Sequence, residues 1–293
     1  MLRLKLKPLF LMVLSLVAIA IAVVAGVPKA EALQAALSPA NPQLGDTVTV
    51  WIATKQPTNT PPSVTINQKQ YPTFLVAPKR WRAFIPTTPL DRVGDRQVRV
   101  VAEGLQQVLT LRLLDRNFPT QSIWLDDKAA ALDVSDYEYE RVSAFKKLVT
   151  PQKFWQGAFL RPNDGPVTSG FGVRRYYNGV FANDYYHRGV DYAGDTGSAV
   201  IAPAAGQVRL VGTVAQGFQL HGNTIGVDHG QGIASIFLHL SRINVREGDF
   251  VKAGQVIGAV GSTGAATGPH LHWGLYVNGE SIDPVPWREK GLQ

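Results

Sequence analysis

The 293-residue chain contains no cysteine. This excludes disulfides, thiolate metal ligands and a cysteine nucleophile. Sulfur is scarce altogether, because the two methionines, Met1 and Met12, both lie at the extreme N-terminus. A chain shortened by that segment would carry none, which fits an oxidising compartment. No basic stripe or aromatic–basic motif is present, so nothing points to nucleic acid as a partner. The net charge of +7 is partly terminal. Without Arg3, Lys5, Lys7, Lys29 and Glu31, 25 basic side chains face 21 acidic ones, a mild +4. Such an excess favours anionic envelope polymers only weakly.

Long apolar runs are also lacking, except from Leu9 to Val27. Basic residues precede that run and Ala30-Glu31-Ala32 follows it, the pattern of a secretory leader cleaved after Ala32. The run is long enough to span a bilayer, so an uncleaved leader (residues 1–32) would attach the protein to a membrane. In either case the body is expected to be exported, to the periplasm or cell envelope.

Length suggests two domains beyond the leader. Residues 33–114 hold short, alternating, β-branched segments at Gly45–Ile52, Ser63–Ile66, Trp81–Phe84, Arg96–Val101 and Gln107–Leu114. Pro, Gly, Asn and Asp separate them, which predicts an immunoglobulin-like β-sandwich. It carries no titratable cluster and reads as a spacer or targeting module. Residues 115–160 read as a linker. There Ser135-Asp-Tyr-Glu138 is a capping box, and Val142, Phe145 and Leu148 mark a short helix to about Val149. Phe154–Leu160 reads as a strand entering the C-terminal domain, residues 161–293. The fold class is therefore all-β with a short helical linker.

Histidine is rare too, at six residues, and four of the six fall in a few elements of the last third. These are His187-Arg-Gly-Val-Asp191, Phe237-Leu-His239-Leu240 and His270-Leu-His272. His270 and His272 stand at i and i+2 in a strand-like run, so both imidazoles leave the same face. Gly189 and Gly194 argue against a helix between and beyond His187 and Asp191, which leaves a strand leading into a turn. Jointly, these elements supply three nitrogen or oxygen ligands plus spare imidazoles, the requirement of a catalytic zinc site with an open position. A metallohydrolase is the reading. His229, before Gly230, and His221, before Gly222, read as turn residues with structural roles. The small residues of Gly261–Gly268 lack the Gly-Lys-Ser/Thr ending of a phosphate loop.

From Val167 to Trp287 the chain resembles the lysostaphin/LytM-type zinc endopeptidases, which cut peptide bonds in bacterial peptidoglycan. The motifs are Ser169-Gly-Phe-Gly172, His187 to Asp191, Asn223, Val227-Asp-His-Gly230 and His239-Leu-Ser241. Val260-Gly-Ser-Thr-Gly264, Thr267-Gly-Pro-His-Leu-His272 and Asp283-Pro284 complete them. The resemblance implies a mostly antiparallel β-sheet domain with a narrow groove over one Zn2+ per chain. It implies His187, Asp191 and His272 as zinc ligands. His239 and His270 would be the unligated pair that moves protons during hydrolysis of peptidoglycan peptide crosslinks; which of them is the main base stays open. Phe237 stands where many relatives carry tyrosine, so no hydroxyl is available from that side chain.

Two rivals are weighed. Val245 to Ile257 has the glycine-punctuated spacing of biotinyl and lipoyl carriers, but Lys252 sits inside the repeat, and carriers have no use for five clustered metal-type residues. A non-catalytic or autoinhibited envelope adaptor, which binds peptidoglycan or activates cell-wall amidases, is the second. Against it, every ligand position expected from the resemblance is filled. The scissile bond is either a direct D,D-crosslink or a glycine bridge. The leader, the sandwich and the lack of a wall-binding repeat lean toward the direct crosslink.

Overall fold

The computed structural model describes residues 33–124 and 133–291. The expected leader lies outside them. Among the described residues no helix is long and apolar enough to cross a membrane.

Eight strands build the N-terminal part: β1 (Gln34–Ser38), β2 (Thr47–Ala53), β3 (Ser63–Ile66), β4 (Lys69–Tyr71), β5 (Thr73–Ala77), β6 (Arg80–Pro86), β7 (Gly94–Ala102) and β8 (Leu105–Leu113). They hydrogen-bond in two four-stranded sheets, β1-β2-β6-β5 and β4-β3-β7-β8. This is the order of an immunoglobulin-type arrangement with one strand added to the second sheet. Val48, Val50 and Ile52 from one sheet meet Val64, Val98, Val100 and Leu111 from the other in a shared apolar cluster. The alternation that predicted these strands arises because successive side chains point to opposite faces.

Strand β6 departs from alternation, since from Trp81 onward every residue is buried. Trp81, Ala83 and Ile85 belong to the sandwich cluster, whereas Phe84 belongs to the core of the C-terminal domain. The outer face of the first sheet is thus covered. There Trp287 Nε1 donates to Thr47 Oγ1 at 3.1 Å, and Asn278 Nδ2 donates to the Phe84 carbonyl at 2.8 Å. Arg82 lies against both the Phe84 and Trp155 rings and donates through Nε and Nη2 to Gln231 Oε1 at 3.1 and 2.5 Å. Burial pulls its guanidinium down to about 10.

The chain continues through β9 (Thr120–Ile123) and helix α1 (Asp136–Lys146). Then follow β10 (Val167–Ser169), β11 (Arg174–Tyr177), β12 (Val180–Phe181), β13 (Val190–Ala193), β14 (Ala199–Ile201), β15 (Gly206–Gly212) and β16 (Thr224–Gly230). The last elements are β17 (Ile233–Leu238), β18 (Arg242–Ile243), β19 (Phe250–Val251), β20 (Val256–Ala259), β21 (His270–Val277), β22 (Glu280–Ile282) and helix α2 (Pro284–Glu289). The main sheet runs β10-β13-β21-β17-β16-β15-β19, with β22 beside β21. β13 and β21 are antiparallel, with Asp191 opposite His272.

Strand β21 organises the domain. Leu271, Trp273, Leu275 and Val277 enter the main core. On the other face, Tyr276 joins Ile236 and Leu238 of β17 beneath Val142 and Phe145 of α1. His270 and His272 share that second face, farther along the strand.

Three expectations are corrected. Phe154–Leu160 forms no strand, although Trp155 and Phe159 are buried. Its amides bond singly to separate elements, Phe154 N–H to the His229 carbonyl and Leu160 N–H to that of Pro203. The capping box is half-made: Ser135 Oγ accepts from Glu138 N–H at 3.1 Å, but the Glu138 carboxylate points elsewhere. And His187 precedes β13 in a loop, so a loop leads into a strand rather than a strand into a turn.

Candidate metal centre

Antiparallel pairing of β13 with β21 sets Asp191 and His272 side by side on one face, and the 182–189 loop folds His187 over them. His272 Nδ1 lies 2.9 Å from Asp191 Oδ1, and His187 Nε2 lies 3.0 Å from the same oxygen and 3.1 Å from His272 Nδ1. One donor atom from each residue falls within 4.8 Å of the other two. Gly189 permits this approach: a Cβ there would sit 2.7 Å from His272 Nε2 and 2.4 Å from the Trp273 carbonyl oxygen.

Tautomers follow from the hydrogen bonds. His187 Nδ1–H donates to the Gly170 carbonyl at 2.7 Å, leaving the Nε2 lone pair facing the cluster. Outward bonds of this kind orient metal-binding imidazoles. Burial opposes ionisation of Asp191, but the two imidazoles against it, His187 and His272, hold its carboxyl far below the usual range. Arg175 Nη2 lies 3.8 Å from Asp191 Oδ2. Burial pulls His272 down to about 4, so it is a neutral donor near pH 7. Three lone-pair atoms converging in a buried cluster suit a cation, so the residues present fit a tridentate metal site.

Two more imidazoles stand beside it. His270 Nδ1–H donates to the Gly268 carbonyl at 2.8 Å, and its Nε2 lies 4.0 Å from Asp191 Oδ1. His239 Nδ1–H donates to the Thr263 carbonyl at 2.8 Å. The His239 and His270 ring centroids are 4.8 Å apart, and those of His239 and His272 are 6.4 Å apart. Burial, then the neighbouring His270 and His272, pulls His239 down to about 3. His239 also has φ +63, a left-handed backbone unusual for a side-chain-bearing residue. Strain of this kind persists only where surrounding contacts over-determine it.

All five sequence-predicted residues are therefore brought together. Phe237 is not among them: opposite Trp273 on β17, it packs into the main core. His229 is buried and structural, its ring bonded to the Ala205 carbonyl and Ser235 Oγ. His221 is only partly a turn residue, since its ring bonds to Glu138 at 2.6 Å. Sequence reasoning missed Arg175, Gly170 and Glu138. Of these, Gly170 stood inside the Ser169–Gly172 motif and Glu138 inside the capping box, where it was read for a different role; Arg175 stood in neither.

Residues 185–284 match the model of peptidase family M23. Among curated proteins, the DD-carboxypeptidase/endopeptidase Mpg of Neisseria meningitidis is 37% identical over 41% of this chain and 26% of its own. Lysostaphin of Staphylococcus simulans is 40% identical over 40% of this chain and 24% of its own. The peptidoglycan DD-endopeptidase ShyC of Vibrio cholerae is 39% identical over 43% of this chain and 29% of its own. The chain thus spans about a quarter of the length of these relatives. A solved structure assigned to peptidase M23, from Pseudomonas aeruginosa, has a TM-score of 0.63 at 27% identity, covering 86% of this chain and 96% of that one.

Proposed function

We propose that the protein is an exported zinc endopeptidase that hydrolyses peptide crosslinks in peptidoglycan. His187, Asp191 and His272 would hold one zinc ion. Zinc there supplies Lewis acidity toward a peptide carbonyl and a water acidic enough to ionise near neutral pH. The remaining work belongs to side chains. His239 and His270 each have Nδ1–H fixed on a carbonyl, which leaves Nε2 to carry a proton in either direction. One of them takes a proton from water, and the same group returns one to the leaving amine, the ordinary exchange of general acid–base catalysis. Neutral imidazole is the form that starts this cycle, and the buried His239 is neutral at physiological pH.

The observation that carries the reading is the His187–Asp191–His272 triangle with two further imidazoles on the same side of the sheet. The relatives named for endopeptidase activity support its substrate class. For the sandwich, we propose a role in positioning the catalytic domain on the wall. The test is mass spectrometry of fragments released from purified peptidoglycan by residues 33–293, with His272→Ala and EDTA controls. Release of uncrosslinked peptides that vanishes in both controls is expected. No release from protein carrying one zinc per chain would favour the adaptor reading.

A further inference from the structure

Helix α1 covers an apolar face of the C-terminal domain. Its Val142 and Phe145 do this, on the same face of the main sheet that carries His270 and His272. Its first turn does something different. Glu138 is fully buried, and its carboxylate gathers the 219–221 loop. Oε2 accepts from the N–H groups of Gln219 and Leu220 at 3.0 and 3.1 Å. Oε1 accepts from His221 N–H at 2.7 Å and from its ring Nδ1–H at 2.6 Å. Burial opposes ionisation, but the bonds from His221 and Leu220 hold the carboxyl below its usual range. Successive N–H groups aimed at one point form an anion nest. Here the anion comes from the chain itself, 83 residues away from His221.

The loop so held leads directly to the site. The His221 carbonyl accepts the His239 amide N–H at 3.1 Å. Asn223, two residues on, donates N–H to Thr263 Oγ1 at 2.9 Å, and the Thr263 carbonyl accepts His239 Nδ1–H at 2.8 Å. The two loops interlock without slack: a Cβ on Gly222 would lie 2.4 Å from the Thr263 carbonyl oxygen. Both anchors of His239, the amide and the ring, therefore end on the structure that Glu138 fastens. The helix is tied there a second time, because Ser135 Oγ donates to the Gly217 carbonyl at 2.8 Å.

We infer that Glu138 is a positioning residue of the peptidase, holding the left-handed backbone and ring direction of His239 through the 219–221 loop. The linker helix is then part of the catalytic unit rather than a tether. This rests on the proton-transfer role proposed for His239.

The test uses residues 33–293 with Glu138→Ala and Glu138→Gln, read in two ways. The first reading is kcat, KM and zinc content on a soluble crosslinked muropeptide. The second is amide hydrogen exchange in the zinc-free protein. Loss of alignment without loss of the metal predicts a kcat lower by roughly 10- to 100-fold in Glu138→Ala, with KM and zinc content unchanged. Glutamine keeps one acceptor oxygen but turns an amide toward N–H donors, so its kcat falls between the two. Exchange is expected to quicken in 217–223 and 237–240 and to stay unchanged in β1–β8. Unchanged kcat and unchanged exchange at 237–240 in both variants would overturn the inference. If Glu138→Ala fails to fold, Glu138→Gln decides the matter by the same readings. Wild-type protein that binds zinc yet cuts nothing would sink the proposed activity alone, because the exchange arm still decides whether Glu138 holds His239.

Discussion

The two β-rich parts of the molecule differ most in what they bury. In the sandwich, the buried polar side chains are threonines (Thr47, Thr49, Thr54, Thr87) and one arginine, Arg82, which faces the other domain. In the C-terminal domain they include His187, Asp191, Asp228, His229, His239, His272 and Asp283. Buried hydroxyls find backbone acceptors nearby, as Thr87 Oγ1 does with the Asp46 carbonyl. Buried imidazoles and carboxylates demand partners of matching charge and direction, and unpaired they are costly. A sheet face bearing such groups is stable only when it is cross-braced, and the C-terminal domain supplies the braces from loops, helix α1 and carbonyls. The sandwich has no such need, and its strands depart from simple alternation chiefly in β2 and β6, where the C-terminal domain covers the outer face.

The sharpest way to break this contrast is to remove a ligand. His187→Ala, Asp191→Ala or His272→Ala is expected to reduce crosslink hydrolysis to background in a muropeptide-release assay. Next, His239→Ala and His270→Ala should each lower kcat by roughly 10²–10⁴-fold while the protein still binds zinc. Steady-state kinetics alongside metal analysis checks both halves.

Stability variants sharpen the comparison from the other side. Gln231→Ala leaves the buried Arg82 guanidinium without this acceptor and should cost about 3 kcal/mol in urea denaturation, with kcat unchanged. His229, buried and pulled down to about 4, makes stability depend on pH. Its folded-state value lies below the unfolded one near 6.5, so the unfolded chain binds the extra proton first. Stability is therefore lost as pH falls from about 6.5 to about 4, on the order of 3 kcal/mol for this one group. The advantage of wild type over His229→Gln should shrink accordingly across that range in denaturation midpoints. Smallest of all, Ser135→Ala removes the N-cap of α1 and should cost about 1 kcal/mol.

Much of this was legible in the chain. Ser63–Ile66 is a strand with the limits its β-branched alternation implied, and Gln107–Leu114 shifts by two residues at its start and one at its end. Helix α1 begins where Ser135 signals it and stops at Lys146, three residues before the expected end. The i, i+2 spacing of His270 and His272 placed both on one face of β21, as observed. What stayed hidden depends on distant pairing. Phe154–Leu160 has the aromatic content of a strand, yet its partners are the scattered carbonyls of His229 and Pro203. Glu138 looked like the second half of a capping box because a local motif shows only local donors. Its actual donors lie on the 219–221 loop, distant in the chain, where no local motif can show them. Gly45 to Ile52 reads as a strand by its alternation, and alternation alone shows only one face to be buried. Its outer threonines are buried as well, since the C-terminal domain covers that face.

The central claim is that three residues bind the metal while two neighbouring imidazoles do not. Native mass spectrometry after zinc loading addresses it directly, with single alanine variants of His187, Asp191, His272, His239 and His270. The account predicts one zinc per chain in wild type and in the His239 and His270 variants, and loss of zinc in the other three. Zinc retained without His272, or lost without His239, would contradict it.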